Sequence, residues 1–94
     1  MEKLPLEIMP LEAKKRLDTG DAVLIDVREL SEFQLAKIEG AELIPMKTVP
    51  QQLQHLDGLA DEKTLLVYCH HGVRSLNVVD WLRRQGVDNC QSIT

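Results

Sequence analysis

The segment at residues 65–75, LLVYCHHGVRS, constrains the fold of this 94-residue chain more than any other. Residues 65–68 form a continuous apolar run of the length typical of a buried parallel strand, and Cys69 follows directly. Residues 75–85 then carry an apolar stripe at helical spacing, formed by Val78, Val79, Trp81 and Leu82. The segment therefore predicts a strand-to-helix crossover with Cys69 at the carboxyl end of the strand.

Strands and helices alternate along the rest of the chain. We predict strands over residues 5–8, 22–27, 41–44, 64–68 and 90–93. We predict helices from Pro10 through Leu17, from Ser31 as the cap of a short helix, from Pro50 to near Gly58, and from Arg74 or Ser75 to Gln85. This alternation indicates a mostly parallel α/β sheet, in which ligands bind at the carboxyl ends of the strands. Asp26 and Cys69 both fall at such ends, which predicts a shared site.

The surroundings of Cys69 favour a thiolate over a thiol. Amides of the following loop can point inward, the helix that begins near Arg74 or Ser75 adds its positive end, and the Arg74 guanidinium adds a full charge. Such environments lower a cysteine pKa from ~8.5 to roughly 3.5–7.5. The alternative is a small core residue that ends a strand, but a purely structural cysteine needs neither Gly72 nor Arg74. Cys69 is therefore the candidate nucleophile.

Three stretches resemble the single-domain rhodanese family. The loop CHHGVRS at residues 69–75 resembles the family's active-site loop, and VLIDVRE at residues 23–29 resembles its upstream strand with the DVRE signature. Residues 32–45 resemble the family's EF...GHIxGAxNIP segment, although Ala36 and Lys37 stand where Gly and His are usual and Glu42-Leu43 precedes Ile-Pro. We interpret these departures as changes in a supporting turn. The resemblance extends from about residue 6 to residue 93.

The resemblance implies a rhodanese-like three-layer domain, with a mostly parallel sheet of about five strands flanked by helices. We expect residues 1–94 to form a single domain, since 44% hydrophobic and 28% charged residues are ordinary for one soluble domain of this length. Family members usually continue past the last strand into a Gly-Gly-x-x-x-Trp segment and a closing helix. The sequence stops at residues 91–94, QSIT, so we expect that closing segment to be missing and part of one sheet face to be exposed.

The resemblance also implies a sulfurtransferase mechanism. The Cys69 thiolate would take the outer sulfur of thiosulfate or of a persulfide, hold it as a persulfide, and pass it to a thiol, cyanide or a sulfur-carrier protein. The expected substrate-binding residues are those of the loop, namely His70, His71, Gly72, Val73 and Arg74. Asp26, Arg28 and Ser75 are expected to support the site, with Arg28 paired to Glu29 or Glu32. The alternative for Arg74 is that it only pairs with a surface carboxylate. The alternative for Arg28 is a purely structural ion pair. No cofactor is implied.

Other functions are less favoured by the loop. Four residues separate Cys69 from Arg74, whereas protein tyrosine phosphatases have five, so the shorter loop suits a sulfur atom better than phosphate. A non-catalytic rhodanese-like binding module is the second alternative, although such modules usually lack the cysteine. The adjacent residues Cys69, His70 and His71 lack the spacing of metal ligands, so we expect no metal. The two imidazoles either add charge at the site below about pH 6.5 or have no role.

Charge and cysteine content restrict partners and location. A formal net charge of −4 without a Lys/Arg cluster argues against nucleic acid. No long apolar run is present, so we expect no signal peptide and no membrane segment, and the cytoplasm as the default location. A disulfide between Cys69 and Cys90 is not expected in a reducing compartment. Cys90 and Trp81 are predicted to be core residues.

Overall fold

The computed structural model describes residues 4–94, which fold into five strands, four α-helices and one 3₁₀ helix. The strands are β1 (Glu7–Ile8), β2 (Ala22–Asp26), β3 (Glu42–Leu43), β4 (Thr64–Tyr68) and β5 (Cys90–Ile93). The helices are α1 (Pro10–Asp18), α2 (Leu30–Leu35), α3 (Leu53–Ala60) and α4 (Val73–Arg84), and the 3₁₀ helix spans Met46–Gln52. The predicted α/β fold with a five-stranded sheet is confirmed.

The sheet has the order β1-β5-β4-β2-β3, and every neighbouring pair of strands within residues 4–94 is parallel. The register places Asp26 at the end of β2 beside Tyr68 at the end of β4, and Val67 beside Ser92 of β5. The residues that follow Tyr68 therefore leave the sheet between the ends of β2 and β5. Cys69 is the first of these residues.

Side chains of the central strands alternate between two faces and form three layers. On one face, Leu65 and Val67 pack with a cluster that includes Leu56 of α3 and Val79 of α4, all at most 1% exposed. Cys90 belongs to this cluster and Trp81 packs against it, as predicted. On the other face, Leu66 packs with a smaller cluster that includes residues of α1. Each fully buried aliphatic side chain of this kind contributes roughly 1.5–3 kcal/mol.

The second face also carries an open groove. Its volume is about 680 Å³, and its lining includes Ala13 and Leu17 of α1, Leu24 of β2, Tyr68 of β4 and Ile93 of β5. No helix within residues 4–94 has the length and apolar character needed to cross a membrane.

Two predicted helix starts are wrong. The cap of α2 is Glu29, not Ser31, because the Glu29 backbone N–H donates to the Glu32 carboxylate at 2.9 Å and so begins the helix two residues earlier. Pro50 does not open α3 but lies inside the 3₁₀ helix, and α3 begins at Leu53, whose N–H donates to the Pro50 carbonyl. Because Pro50 has no N–H, an α-helix through residues 46–52 would lack the hydrogen bond from residue 50 to the carbonyl of residue 46.

α3 ends near Gly58 as predicted, although Gly58 lies within the helix, which continues two residues further to Ala60. The φ of Gly58 is not positive, whereas Gly20 and Gly86, which follow α1 and α4, have φ values of +82° and +94°. A glycine in the left-handed conformation often closes a helix, as Gly20 and Gly86 do here. Gly58 instead remains helical, at a cost of about 1 kcal/mol relative to alanine.

Candidate active site around Cys69

Cys69 lies directly after β4 and is 3% exposed. Its sulfur accepts hydrogen bonds from two backbone N–H groups, that of Gly72 at 3.1 Å and that of Ser75 at 3.2 Å. Ser75 is in the first turn of α4, where backbone N–H groups have no partner within the helix. The sulfur therefore occupies the anion-binding position at the beginning of a helix.

The hydrogen bonds determine the acidity of this thiol. Burial acts to raise the pKa of Cys69, but hydrogen bonds from the Ser75 hydroxyl and from the backbone N–H groups of Ser75, Gly72 and His71 together outweigh it and lower the pKa. The other cysteine behaves in the opposite way, because burial dominates and raises the pKa of Cys90. Both are free thiols, and only Cys69 has the environment of a nucleophile.

Gly72 gives the loop its shape. It caps α4 with φ +82° and ψ −7°, in the left-handed region, and this conformation directs its N–H to the Cys69 sulfur. A Cβ on Gly72 would lie 3.7 Å from the Ile93 carbonyl oxygen, which is ordinary contact. The position therefore requires glycine for its backbone conformation and not for lack of space.

Gly72→Ala is expected to lower the free energy of unfolding by about 1–2 kcal/mol, the cost of a left-handed alanine. It is also expected to raise the Cys69 pKa by roughly half a unit to one unit, because the strained loop turns one N–H away from the sulfur. The matched control is Gly20→Ala, since Gly20 also has φ +82° and nothing within 4 Å. Urea unfolding and the pH dependence of alkylation measure the two effects. Equal pKa values in the two variants would contradict this role of Gly72.

The Ser75 hydroxyl connects the sulfur to a residue that the sequence analysis missed. Ser75 Oγ lies 3.3 Å from Cys69 Sγ and 2.7 Å from Ser92 Oγ. Ser75 and Ser92 are both 0% exposed. The sequence offered one signal, a serine within the predicted strand CQSI. The structure shows that all four residues of this strand are buried, and a buried hydroxyl needs a hydrogen-bond partner.

Arg74 forms a bidentate ion pair with Glu32 of α2. Nη1 donates to Oε1 at 2.7 Å and Nη2 donates to Oε2 at 2.9 Å. The side chains are 31% and 35% exposed. The Arg74 guanidinium lowers the pKa of Glu32 to about 2, and Glu32 in turn raises the pKa of Arg74. The sequence analysis gave pairing with a surface carboxylate as one alternative for Arg74, and this pairing is present. Three of the five guanidinium N–H groups take no part in it.

Arg28 pairs with Asp26, not with Glu29 or Glu32 as the sequence suggested. Its Nη2 donates to Asp26 Oδ2 at 2.8 Å, and its Nε lies 3.0 Å from Oδ1. The Arg28 backbone N–H also donates to Oδ1, and Nη2 donates to the Ala36 carbonyl at 2.7 Å. The two side chains are at most 8% exposed. Both carboxylate oxygens of Glu32 instead accept from Arg74. Through the bond to the Ala36 carbonyl, the buried Asp26–Arg28 pair fixes the backbone that follows α2.

The remaining loop residues lie at the surface. His70 and His71 contact each other edge to face, with ring centroids 4.2 Å apart, and Val73 is 64% exposed. Beside the loop is a groove of about 460 Å³, lined in part by Arg28, Glu32, Tyr68 and His70. Residues 4–94 contain no cluster of three or more His, Cys, Asp or Glu side chains suited to a metal ion.

Comparisons with known proteins agree with this geometry. The family model of the Rhodanese-like domain matches residues 9–94. The chain is 30% identical over 93 residues to the thiosulfate sulfurtransferase GlpE of Glaesserella parasuis serovar 5, covering 99% of this chain and 83% of that protein. Two solved structures are also similar. SSP1007 of Staphylococcus saprophyticus is 33% identical with a TM-score of 0.80, covering 95% of this chain and 86% of that one.

The second solved structure is the human single-domain sulfurtransferase TSTD1, which is 25% identical with a TM-score of 0.81. The alignment covers 96% of this chain and 89% of that one. A match along nearly the whole chain, together with the cysteine at the end of β4 and the glycine-capped loop, leads to one conclusion. The chain belongs to the Rhodanese-like domain family and is a rhodanese-like enzyme.

Proposed function

We propose that the protein is a sulfurtransferase that carries a sulfane sulfur as a persulfide on Cys69. The observation that carries the proposal is the set of groups around one buried sulfur: two backbone N–H groups donate to it at 3.1 and 3.2 Å, and the Ser75 hydroxyl lies 3.3 Å away, where it can donate to a thiolate. Donors of this kind stabilise an anionic sulfur without any ordering step at the moment of reaction. The relatives' names, which include a thiosulfate sulfurtransferase, support the same reaction class.

The reaction has two half-reactions with balanced charge. The Cys69 thiolate attacks the outer sulfur of thiosulfate, the S–S bond of the donor breaks, and sulfite leaves with the electron pair. The persulfide on Cys69 is itself an anion, so the same N–H groups and hydroxyl stabilise it. Cyanide, a thiol or a sulfur-carrier protein then attacks the terminal sulfur, and the Cys69 thiolate returns. An enzyme that alternates between two covalent states in this way follows ping-pong kinetics.

The loop residues have distinct parts in this proposal. The N–H groups of His71, Gly72 and Ser75 bind the reacting sulfur, and Arg74 binds the anionic part of the donor with the N–H groups that Glu32 leaves free. His70 and Val73 form the exposed edge where donor and acceptor approach. Asp26 and Arg28 hold the backbone beside the loop. The two free thiols support a reducing compartment such as the cytoplasm. The net charge of −4 supports partners other than nucleic acid.

Intact mass spectrometry after thiosulfate treatment tests the proposal. We expect a gain of one sulfur atom, complete loss of that atom on addition of cyanide, and no gain in Cys69→Ser. The matched control is Cys90→Ala, which keeps Cys69 and is expected to gain the sulfur as the unchanged protein does. Folding of each variant is checked by circular dichroism.

Three results would count against the proposal. They are a folded protein that gains no sulfur, an adduct that persists in Cys69→Ser, and an adduct lost in Cys90→Ala. The first would favour a binding module. Hydrolysis of an aryl phosphate by the same folded protein, lost in Cys69→Ser, would favour the phosphatase-like alternative.

A further inference from the structure

We propose that Ser92, on β5, is a positioning residue that orients the Ser75 hydroxyl towards the Cys69 sulfur. This inference rests on the proposed function only in taking Cys69 as the nucleophile. The three side chains form a linear chain, with 3.3 Å between Cys69 Sγ and Ser75 Oγ and 2.7 Å between Ser75 Oγ and Ser92 Oγ. Ser92 Oγ forms no other hydrogen bond among residues 4–94.

Counting protons along the chain shows why Ser92 favours the thiolate. In the thiol form, three protons are present for two links, so one of them has no acceptor within the chain. If the thiol donates to Ser75, then Ser75 donates to Ser92, and the Ser92 proton is left over in a fully buried position. An unpaired buried donor is unfavourable.

In the thiolate form, two protons remain for the same two links. Ser92 donates to Ser75 Oγ, and Ser75 donates to the sulfur anion, so both hydroxyl protons have acceptors. The proton released by Cys69 goes to solvent. The persulfide, also an anion, uses the same orientation. Because Ser75 Oγ is then an acceptor from Ser92, its own proton has only the sulfur to bind, and the Ser75 hydroxyl is fixed as a donor.

Replacing Ser92 leaves every charged group named around the loop in place. These groups are Arg74 on α4 with Glu32 on α2, Arg28 with Asp26 after β2, and His70 and His71 in the loop itself. The charge of Arg74 interacts with that of a Cys69 thiolate, and Arg74 is paired with Glu32. A change in the Cys69 titration on replacing Ser92 therefore reports the hydroxyl chain and not a lost charge.

The test is the pH dependence of Cys69 alkylation by iodoacetamide in the folded protein without any sulfur donor. Ser92→Ala is expected to raise the midpoint by roughly half a pH unit to one pH unit, the equivalent of one hydrogen bond. In a Ser75→Ala background, Ser92→Ala is expected to add no further shift, because its effect passes through Ser75. Peptide mapping confirms that Cys69 is the alkylated residue.

Controls separate orientation from general destabilisation. Cys90→Ala removes a buried side chain from the same strand and is expected to leave the midpoint unchanged. Ser92→Thr and Ser92→Val form a pair of equal shape, of which only Thr retains the hydroxyl, so this pair gives the same comparison if Ser92→Ala folds poorly. An unchanged midpoint in Ser92→Ala, or an equal shift in the Ser75→Ala background, would overturn the inference. The absence of a persulfide would instead refute the proposed function, since alkylation is measured without it.

Discussion

Arg74→Ala is expected to lower kcat/KM for thiosulfate by roughly 100-fold to 1,000-fold, the usual effect of removing a donor to a reacting anion. Two changes add in this variant. The guanidinium N–H groups that Glu32 leaves free are lost, and the Glu32 carboxylate, now without its partner, becomes an uncompensated negative charge beside the loop. A dianionic donor is repelled by that charge. Steady-state kinetics with thiosulfate and cyanide measure the effect.

The double variant Arg74→Ala/Glu32→Gln separates these two contributions. Removing the charge of Glu32 is expected to recover roughly tenfold of the lost kcat/KM, because repulsion of the donor disappears. Glu32→Gln alone frees the guanidinium and is expected to keep or increase activity with thiosulfate. If Arg74→Ala retains full kcat/KM while losing stability, Arg74 only ties α4 to α2.

Asp26→Ala is expected to have the largest effect on stability, a loss of about 3–5 kcal/mol in the free energy of unfolding. The substitution leaves the Arg28 guanidinium charged and nearly inaccessible to water, with the Ala36 carbonyl as its remaining hydrogen-bond partner within residues 4–94 and the Tyr68 ring centroid 5.2 Å away. It also removes the acceptor of the Arg28 backbone N–H. Urea unfolding measures the loss. Typical domains have only about 5–15 kcal/mol in total, so the midpoint should fall sharply.

Two comparisons sharpen this prediction. Glu32→Ala removes one partner of the half-exposed pair with Arg74 and the acceptor of the Glu29 N–H at the start of α2, and is expected to cost about 1–2 kcal/mol. The apolar double variant Asp26→Leu/Arg28→Met is expected to be more stable than Asp26→Leu alone, because it removes the unpaired charge. A loss in Asp26→Ala no larger than in Glu32→Ala would contradict the burial argument.

Features coded by neighbouring residues were predictable from the sequence. The apolar run of β4, the cysteine at its end, Gly72 and the stripe on α4 lie within residues 64–84, and the structure has the expected strand, loop and helix there. Periodicity and glycine placement report local conformation directly. The fold followed because alternating strands and helices permit few arrangements.

The contacts that tune the site join distant parts of the chain and were not predictable in this way. Glu32 and Arg74 are 42 residues apart, and Ser75 and Ser92 are 17 residues apart. Nothing in the spacing of carboxylates indicates which arginine each one meets, so Arg28 was expected to pair with Glu29 or Glu32, although Glu32 pairs with Arg74 and Arg28 pairs with Asp26. Ser92 carried a weak signal only, a polar residue in a buried strand.

The strand order has a consequence for how this thiol becomes reactive. Among the strands of residues 4–94, β1 pairs only with β5, and β5 lies between β1 and β4. During synthesis, β1 therefore cannot pair with another strand until residues 90–93 have been made. The same residues bring Ser92 into contact with Ser75 at the loop. A chain that has emerged only as far as β4 holds a cysteine without that contact. Under the proposed role of Ser92, the last contact that favours the thiolate therefore forms only when the sheet is complete.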